Sequence, residues 1–149
     1  MRCSDGSYEA DDERARFSLD IAGAYSPKAG IIRWQRTIQL QRGQSVTIED
    51  SYELNHTPRS LMLNLLTASQ VDLGTAGLIR LMSADLIDGR VSGSGVIRYD
   101  AARLTPSVET ISITRTPMSR VWGSSLYRIQ LSAITPQQQD TYTLKISEA

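Results

Sequence analysis

The sequence predicts an all-β domain, an antiparallel sandwich of two sheets with about ten strands, and two observations support this class. Apolar residues recur at every second position in many short segments, which is typical of strands with one buried face. Glycine, proline and polar residues separate these segments, and no stretch shows the periodicity of a convincing amphipathic helix. Two stacked sheets bury such faces best, because each sheet covers the apolar side of the other.

The N-terminal residues 1–14 are polar and acidic, so we expect a solvated lead that is poorly ordered unless another element holds it. We assign residues 15–149 to a single β-sandwich domain, because this length is sufficient for one sizeable core. Its first strand is predicted at Phe17–Ile21, where apolar and polar residues alternate. A proline-containing loop then leads to Gly30.

A β-hairpin over residues 32–54 is the clearest element. Two alternating runs flank the polar segment 41–45, and Gly43 at its centre marks the turn. A loop of three or five residues keeps both apolar sets on one face, whereas a one-residue slip sends one set into water. The predicted cross-strand pairs are Leu40–Val46, Ile38–Ile48, Trp34–Tyr52 and Ile32–Leu54.

The same register places Arg36 opposite Asp50 in the middle of the apolar row. Opposite charges at matching core-facing positions predict a buried or half-buried structural ion pair, because neither charge is stable there alone. A ligand-binding pair is the alternative interpretation.

The second half of the chain contains shorter strands. The segment 61–66 is nearly all apolar and suggests a strand buried on both faces, or else a short buried helix. Asp88-Gly89 predicts a tight turn, and residues 114–123 are expected to form a long connection. The last two alternating runs are expected to form a hairpin in which Leu131 faces Leu144.

The composition argues against several classes of function. Sixteen basic and sixteen acidic side chains cancel, so we expect neither a nucleic acid nor a membrane surface as partner. The single histidine, His56, and the single cysteine, Cys3, cannot form a Cys/His zinc site, and a serine triad would depend on His56 alone. We therefore predict no metal, no cofactor and no catalytic residue, and this chain alone is expected to be inactive.

Trp122 is the candidate for carbohydrate binding. It precedes Gly123 in the long connection, and Arg115 and Arg120 are close to it in sequence. An aromatic plane can stack on the CH face of a sugar ring, and arginine can pair with a uronate or sulfate through two hydrogen bonds. The alternative is that Trp122 closes the end of the sandwich. Trp34, by contrast, is predicted to belong to the core.

Two segments resemble the late β-domain of the heparinase II/III-like polysaccharide lyases. The first, residues 17–54, contains a Tyr-Ser-Pro loop, a Trp-x-Arg strand, an arginine-containing turn and an Asp-x-Tyr strand. The second is WGSSLYRIQL, residues 122–131. An acidic residue expected shortly before the second segment is absent, because residues 114–120 contain none.

The resemblance implies that the chain is the non-catalytic C-terminal β portion of a larger lyase. There it would brace an N-terminal catalytic toroid and help wall a cleft for acidic polysaccharide. The family's tyrosine, histidine and metal-site residues have no counterparts here, so none is assigned. The parent is expected in the periplasm or outside the cell. A free-standing carbohydrate-binding sandwich and a structural or adhesion module remain the alternatives.

Overall fold

The computed structural model describes residues 6–83, 91–114 and 116–149. Over these residues eleven strands form two antiparallel sheets, of eight and of three strands. The predicted class, an antiparallel two-sheet β-sandwich, is confirmed. The chain divides into two compact units, the first formed by residues 6–59 with 135–147 and the second by residues from 60 to 134. The predicted Asp88-Gly89 turn lies outside the described residues.

Five consecutive neighbours form the sheet of the first unit, in the order β1-β2-β3-β4-β11. Every neighbouring pair in this row is antiparallel. Alternation explains these strands, because one face carries most of the aromatic and aliphatic side chains together with Arg36 and Asp50, and the other face carries mainly polar side chains. Their bounds are β1 (Ser7–Ala10), β2 (Arg14–Asp20), β3 (Ile31–Gln41), β4 (Ser45–Leu54) and β11 (Gln139–Glu148).

The predicted hairpin consists of β3 and β4 joined by a three-residue loop in which Gly43 has a positive φ of 68°. Its register follows the prediction from Leu40–Val46 through Ile38–Ile48 and Arg36–Asp50 to Trp34–Tyr52. At the open end the pairing differs. The register shifts between Ile31 and Arg33, so Leu54 pairs with Ile31 and not with Ile32. Ile32 is therefore 56% exposed.

Part of the expected N-terminal lead is ordered. Residues 7–10 form β1, which pairs with residues 15–18 of β2 and is exposed along its whole length. Asp11 accounts for the turn between the two strands, because its carboxylate accepts the backbone N–H groups of Glu13 and Arg14 at 2.9 and 2.8 Å. These hydrogen bonds hold the pKa of Asp11 below its ordinary value.

The second unit contains a three-stranded sheet in the order β5-β10-β9 and a meander of β6, β7 and β8. Its core consists of aliphatic side chains such as Ile79, Ile129 and Leu131, which are at most 1% exposed. One short helix precedes β10. The bounds are β5 (Met62–Thr67), β6 (Val71–Thr75), β7 (Leu78–Leu81), β8 (Gly95–Arg98), β9 (Leu104–Ser112), α1 (Thr116–Trp122) and β10 (Ser125–Ala133).

Two local predictions for the second half were wrong, and one predicted connection also contains a short helix. β5 buries one face only, since Leu63 is buried whereas Met62 and Leu66 are 42% and 62% exposed. Residues 116–122 form α1 within the expected connection. The predicted terminal hairpin does not form: β10 pairs with β5 and β9, and β11 pairs with β4. Alternation alone cannot choose between apolar neighbours, because any of these pairings keeps the apolar sets together.

Candidate functional site

The centre of the first unit is an ion pair between β3 and β4. The guanidinium of Arg36 donates from Nε to Asp50 Oδ1 at 2.7 Å and from Nη2 to Asp50 Oδ2 at 2.8 Å. The two residues are directly opposite in the antiparallel ladder, so their side chains project from the same face. This bidentate geometry is the strongest form of an arginine–carboxylate contact.

Asp50 has a third donor. The indole Nε1–H of Trp34 donates to Asp50 Oδ1 at 2.8 Å, so this one oxygen accepts from two side chains. The carboxylate is 2% exposed and therefore depends on these donors in place of water. Trp34 lies two residues before Arg36 on β3, which is the spacing that places both side chains on one face of a strand.

Four aromatic rings continue from this cluster across the unit. The order of the stacked rings is Tyr25, Trp34, Tyr52 and Tyr142. The distances between successive ring centroids are 6.3, 5.1 and 6.1 Å. Trp34, Tyr52 and Tyr142 are buried, whereas Tyr25 is 49% exposed. These contacts hold the Trp34 indole, and with it the donor to Asp50, in one orientation.

The surroundings of Arg36 and Tyr52 raise the pKa of each group. The hydrogen bond to Asp50 raises the pKa of Arg36, and burial opposes this effect. Burial also raises the pKa of Tyr52, so its hydroxyl stays protonated and donates to the Gln137 carbonyl at 3.2 Å. The cluster therefore contains a guanidinium that stays charged and a Tyr52 phenol that stays protonated at neutral pH.

Two of the predicted carbohydrate-binding residues, Trp122 and Arg120, belong to the second unit. Trp122 is the last residue of helix α1 and is 52% exposed. Arg120 lies two residues earlier on the same helix and is also exposed. Arg115 lies outside the described residues. Trp122 and Met118 are four residues apart, so they lie on one side of the helix, and both are exposed.

Within the described ranges, no group of three or more His, Cys, Asp or Glu side chains could hold a metal ion. In the same ranges no helix is long and apolar enough to cross a membrane. His56 forms a hydrogen bond through Nδ1 with the side chain of its neighbour Asn55.

Sequence reasoning placed Arg36 opposite Asp50 and put Trp34 and Tyr52 on the same row. It did not predict the hydrogen bond from Trp34 to Asp50, nor the ring contacts of Tyr25 and Tyr142. The donor role of Trp34 could have been found, because Trp34 and Arg36 share the face of Asp50 in the predicted register. The position of Tyr142 could not have been found in this way, because Tyr142 pairs with Asp50 only when β11 lies beside β4. Tyr25 lies in a loop, between two short 3-10 turns, and no periodicity predicts its contact with Trp34.

Among solved structures, the chain is similar to heparan sulfate lyase HepC from Pedobacter heparinus, with a TM-score of 0.65 and 13% sequence identity. The match covers 98% of this chain and 21% of that chain. A mutant of the same lyase matches with the same values. No family model and no curated protein matches the sequence. The likeness to a heparinase-type protein that the sequence indicated is therefore confirmed for the fold.

Proposed function

We propose that this chain is the non-catalytic C-terminal β-sandwich portion of a larger heparinase II/III-like polysaccharide lyase. In this role it braces the catalytic region of the parent chain and helps wall a cleft for acidic polysaccharide. One observation carries the proposal: nearly the whole chain, 98%, matches only 21% of a heparan sulfate lyase. Because the matching region is about one fifth of the lyase, the match favours a non-catalytic portion of a larger enzyme over a complete catalyst.

An exposed apolar row on the first unit supports the bracing role. Tyr8, Phe17 and Ile38 are directly opposite one another on β1, β2 and β3 and are 70%, 43% and 38% exposed. Contiguous apolar side chains on a sheet face are typical of a surface that another protein region covers. We assign this row to the contact with the catalytic region.

The ion-pair cluster supports the same role, because a bracing element must be rigid. Arg36, Asp50 and Trp34 tie β3 to β4 through three side-chain hydrogen bonds of 2.7–2.8 Å. The stacked aromatic side chains extend this fixed region to β11. We assign no catalytic base to this cluster, and β-elimination needs a base together with a group that neutralises the uronate carboxylate.

Contact with the polysaccharide is assigned to helix α1. Trp122 offers an exposed aromatic face and Arg120 offers an exposed cation. Arg115 belongs to the set proposed from the sequence and lies outside the described residues. The charges suit uronate and sulfate groups, which arginine binds through paired hydrogen bonds.

Two measurements test the proposal. The purified 149-residue chain is incubated with heparan sulfate and other uronate-containing polysaccharides, and the absorbance of unsaturated uronate is followed. We expect none. In parallel, an antibody raised against this chain is used on extracts of the source cells, where it should detect a polypeptide much larger than 16.5 kDa. Depletion with this antibody should remove lyase activity from the extract.

The proposal would be wrong if the antibody detected only a product of this size and lyase activity remained after depletion. It would also be wrong if the purified chain sustained cleavage that survived repurification and was lost in a point variant. An unrelated antibody serves as the depletion control.

A further inference from the structure

We infer that an open polar pocket in the first unit binds a neutral sugar residue. The pocket has a volume of about 540 Å³ and lies where β4 ends and β11 begins. This volume is within the range of small-ligand sites. The residues that line it are all polar: Glu53, Thr57, Gln137, Gln138 and Gln139.

The wall contributed by the connection before β11 is held in place by hydrogen bonds to β4. Gln138 is fixed twice on Leu54, because its carbonyl accepts the Leu54 N–H at 2.9 Å and its side-chain Nε2 donates to the Leu54 carbonyl at 3.0 Å. The Gln137 carbonyl accepts the hydroxyl of buried Tyr52 at 3.2 Å. A wall that is already ordered loses little conformational entropy when a ligand binds.

Glu53 and Gln139 also line the pocket. They are directly opposite each other in the β4–β11 ladder, so their side chains project from the same face of the sheet. Both are exposed. The pair therefore presents a carboxylate and an amide side by side in the lining of the pocket.

The chemistry of the lining selects the ligand class. An amide group carries both donors and an acceptor, and a carboxylate accepts two hydrogen bonds, which together match the adjacent hydroxyl groups of a sugar ring. The only formal charge among the five lining residues is the negative charge of Glu53. This charge opposes uronate and sulfate, so the pocket favours a neutral hexose over an acidic one.

The inference does not depend on the proposed lyase role. The pocket consists of residues of the first unit, whereas the proposed polysaccharide contact lies on α1 in the second unit. Neutral-sugar binding could be present in a free-standing protein or in a part of a lyase. The two proposals can therefore fail separately.

Titration followed by amide NMR tests the inference. Methyl glucoside, methyl galactoside and methyl mannoside are added to the full chain, with glucuronate as the acidic comparison. We expect saturable shifts of the lining amides with at least one neutral glycoside, in the millimolar range, and binding of glucuronate weaker by about tenfold or more. Absence of shifts with all three glycosides, or equal binding of glucuronate, would overturn the inference.

Variants of the exposed pair identify the pocket as the site. Gln139→Ala should weaken binding of the neutral glycoside by about tenfold, because an amide partner of the sugar hydroxyls is lost. Glu53→Gln keeps hydrogen-bonding capacity and removes the charge, so it should retain the neutral glycoside and narrow the discrimination against glucuronate. The matched control is Glu49→Ala, an exposed position on the same strand and face. If the control weakened binding as much as Gln139→Ala, the site would not be this pocket.

Discussion

Arg36 and Asp50 form a bidentate ion pair whose two members differ strongly in their access to water. The Asp50 side chain is 2% exposed, whereas that of Arg36 is 35% exposed. The carboxylate therefore depends on protein donors, and the guanidinium can also reach solvent. Removing Arg36 would leave a buried carboxylate without water, whereas removing Asp50 would leave a guanidinium that is partly hydrated. The two substitutions should therefore have unequal effects on stability.

The first prediction is that Asp50→Ala destabilises the protein strongly. It leaves both the Arg36 charge and the Trp34 indole N–H without their acceptor. Breaking a buried ion pair costs on the order of 3–5 kcal/mol, and the partial exposure of Arg36 places the expected loss at the low end of this range. Denaturant unfolding measures the change. Glu49→Ala, an exposed neighbour, is the control and should stay within about 0.5 kcal/mol of wild type; an equally small effect of Asp50→Ala would contradict the prediction.

The second prediction concerns replacement of the whole pair. Arg36→Met combined with Asp50→Leu should recover much of the stability lost in Asp50→Ala, because no buried charge remains. Recovery should be incomplete, since the Trp34 N–H still lacks an acceptor and an unsatisfied buried donor costs about 1–3 kcal/mol. Adding Trp34→Phe tests this residual cost by removing the donor. A double variant no more stable than Asp50→Ala would show that the pair itself, and not the stranded charge, determines stability.

The third prediction is an alkaline loss of stability that depends on Tyr52. Burial raises its pKa above the ordinary value of 10.0, so in strong alkali the unfolded chain loses this proton while the folded chain retains it. The unfolded state then binds fewer protons, and the free energy of unfolding falls by up to about 1.4 kcal/mol per pH unit above about pH 10. Below that pH the contribution is fully present.

Tyr52→Phe should reduce this slope, because phenylalanine does not ionise. Denaturant unfolding from about pH 8 to about pH 11 gives the slope for wild type and variant. Tyr8→Phe, at a 70% exposed position, is the matched control. Equal slopes in wild type and Tyr52→Phe would contradict the assignment.

The fourth prediction compares two glycines with the same backbone conformation. Gly30 and Gly43 both have a φ of 68°. A Cβ at Gly43 would meet nothing within 4 Å, whereas at Gly30 it would collide with the Asn55 side chain and lie 3.0 Å from His56 Cε1. Gly43→Ala should cost about 1–2 kcal/mol, the cost of the left-handed conformation alone. Gly30→Ala should cost more, and equal losses in unfolding experiments would show that the Asn55 side chain moves away without penalty.

Local sequence patterns predicted the β3–β4 hairpin well because its information is local. The loop and both apolar sets lie within 23 consecutive residues, and one register satisfies all of them except the shifted pair at Leu54. The position of Arg36 opposite Asp50 followed from that register. Their hydrogen-bond partner Trp34 is in the same segment, so it too was within reach of this reasoning.

The position of β11 and the polar pocket could not be predicted in the same way. Pairing of β11 with β4 joins residues about 90 positions apart, and an alternating strand fits any apolar neighbour. The pocket depends on that pairing, because Glu53 and Thr57 meet Gln137, Gln138 and Gln139 only when the two segments are adjacent. Each is an ordinary surface residue type, so no single position signals a site.

The fifth prediction concerns acidic oligosaccharides and helix α1. If Trp122 supplies the stacking face, Trp122→Ala should weaken binding of a uronate-containing oligosaccharide by up to about tenfold, since aromatic stacking contributes about 0.5–1.5 kcal/mol. Arg120→Gln should also weaken binding of this oligosaccharide, and its effect should be larger at low salt, where the attraction between Arg120 and the acidic groups is strongest. Val121→Ala is the matched control, because it removes an exposed apolar side chain, 67% exposed, from the same helix. Calorimetric titration measures the affinities, and tight binding that is unchanged by Trp122→Ala would place the acidic-sugar contact elsewhere on the chain.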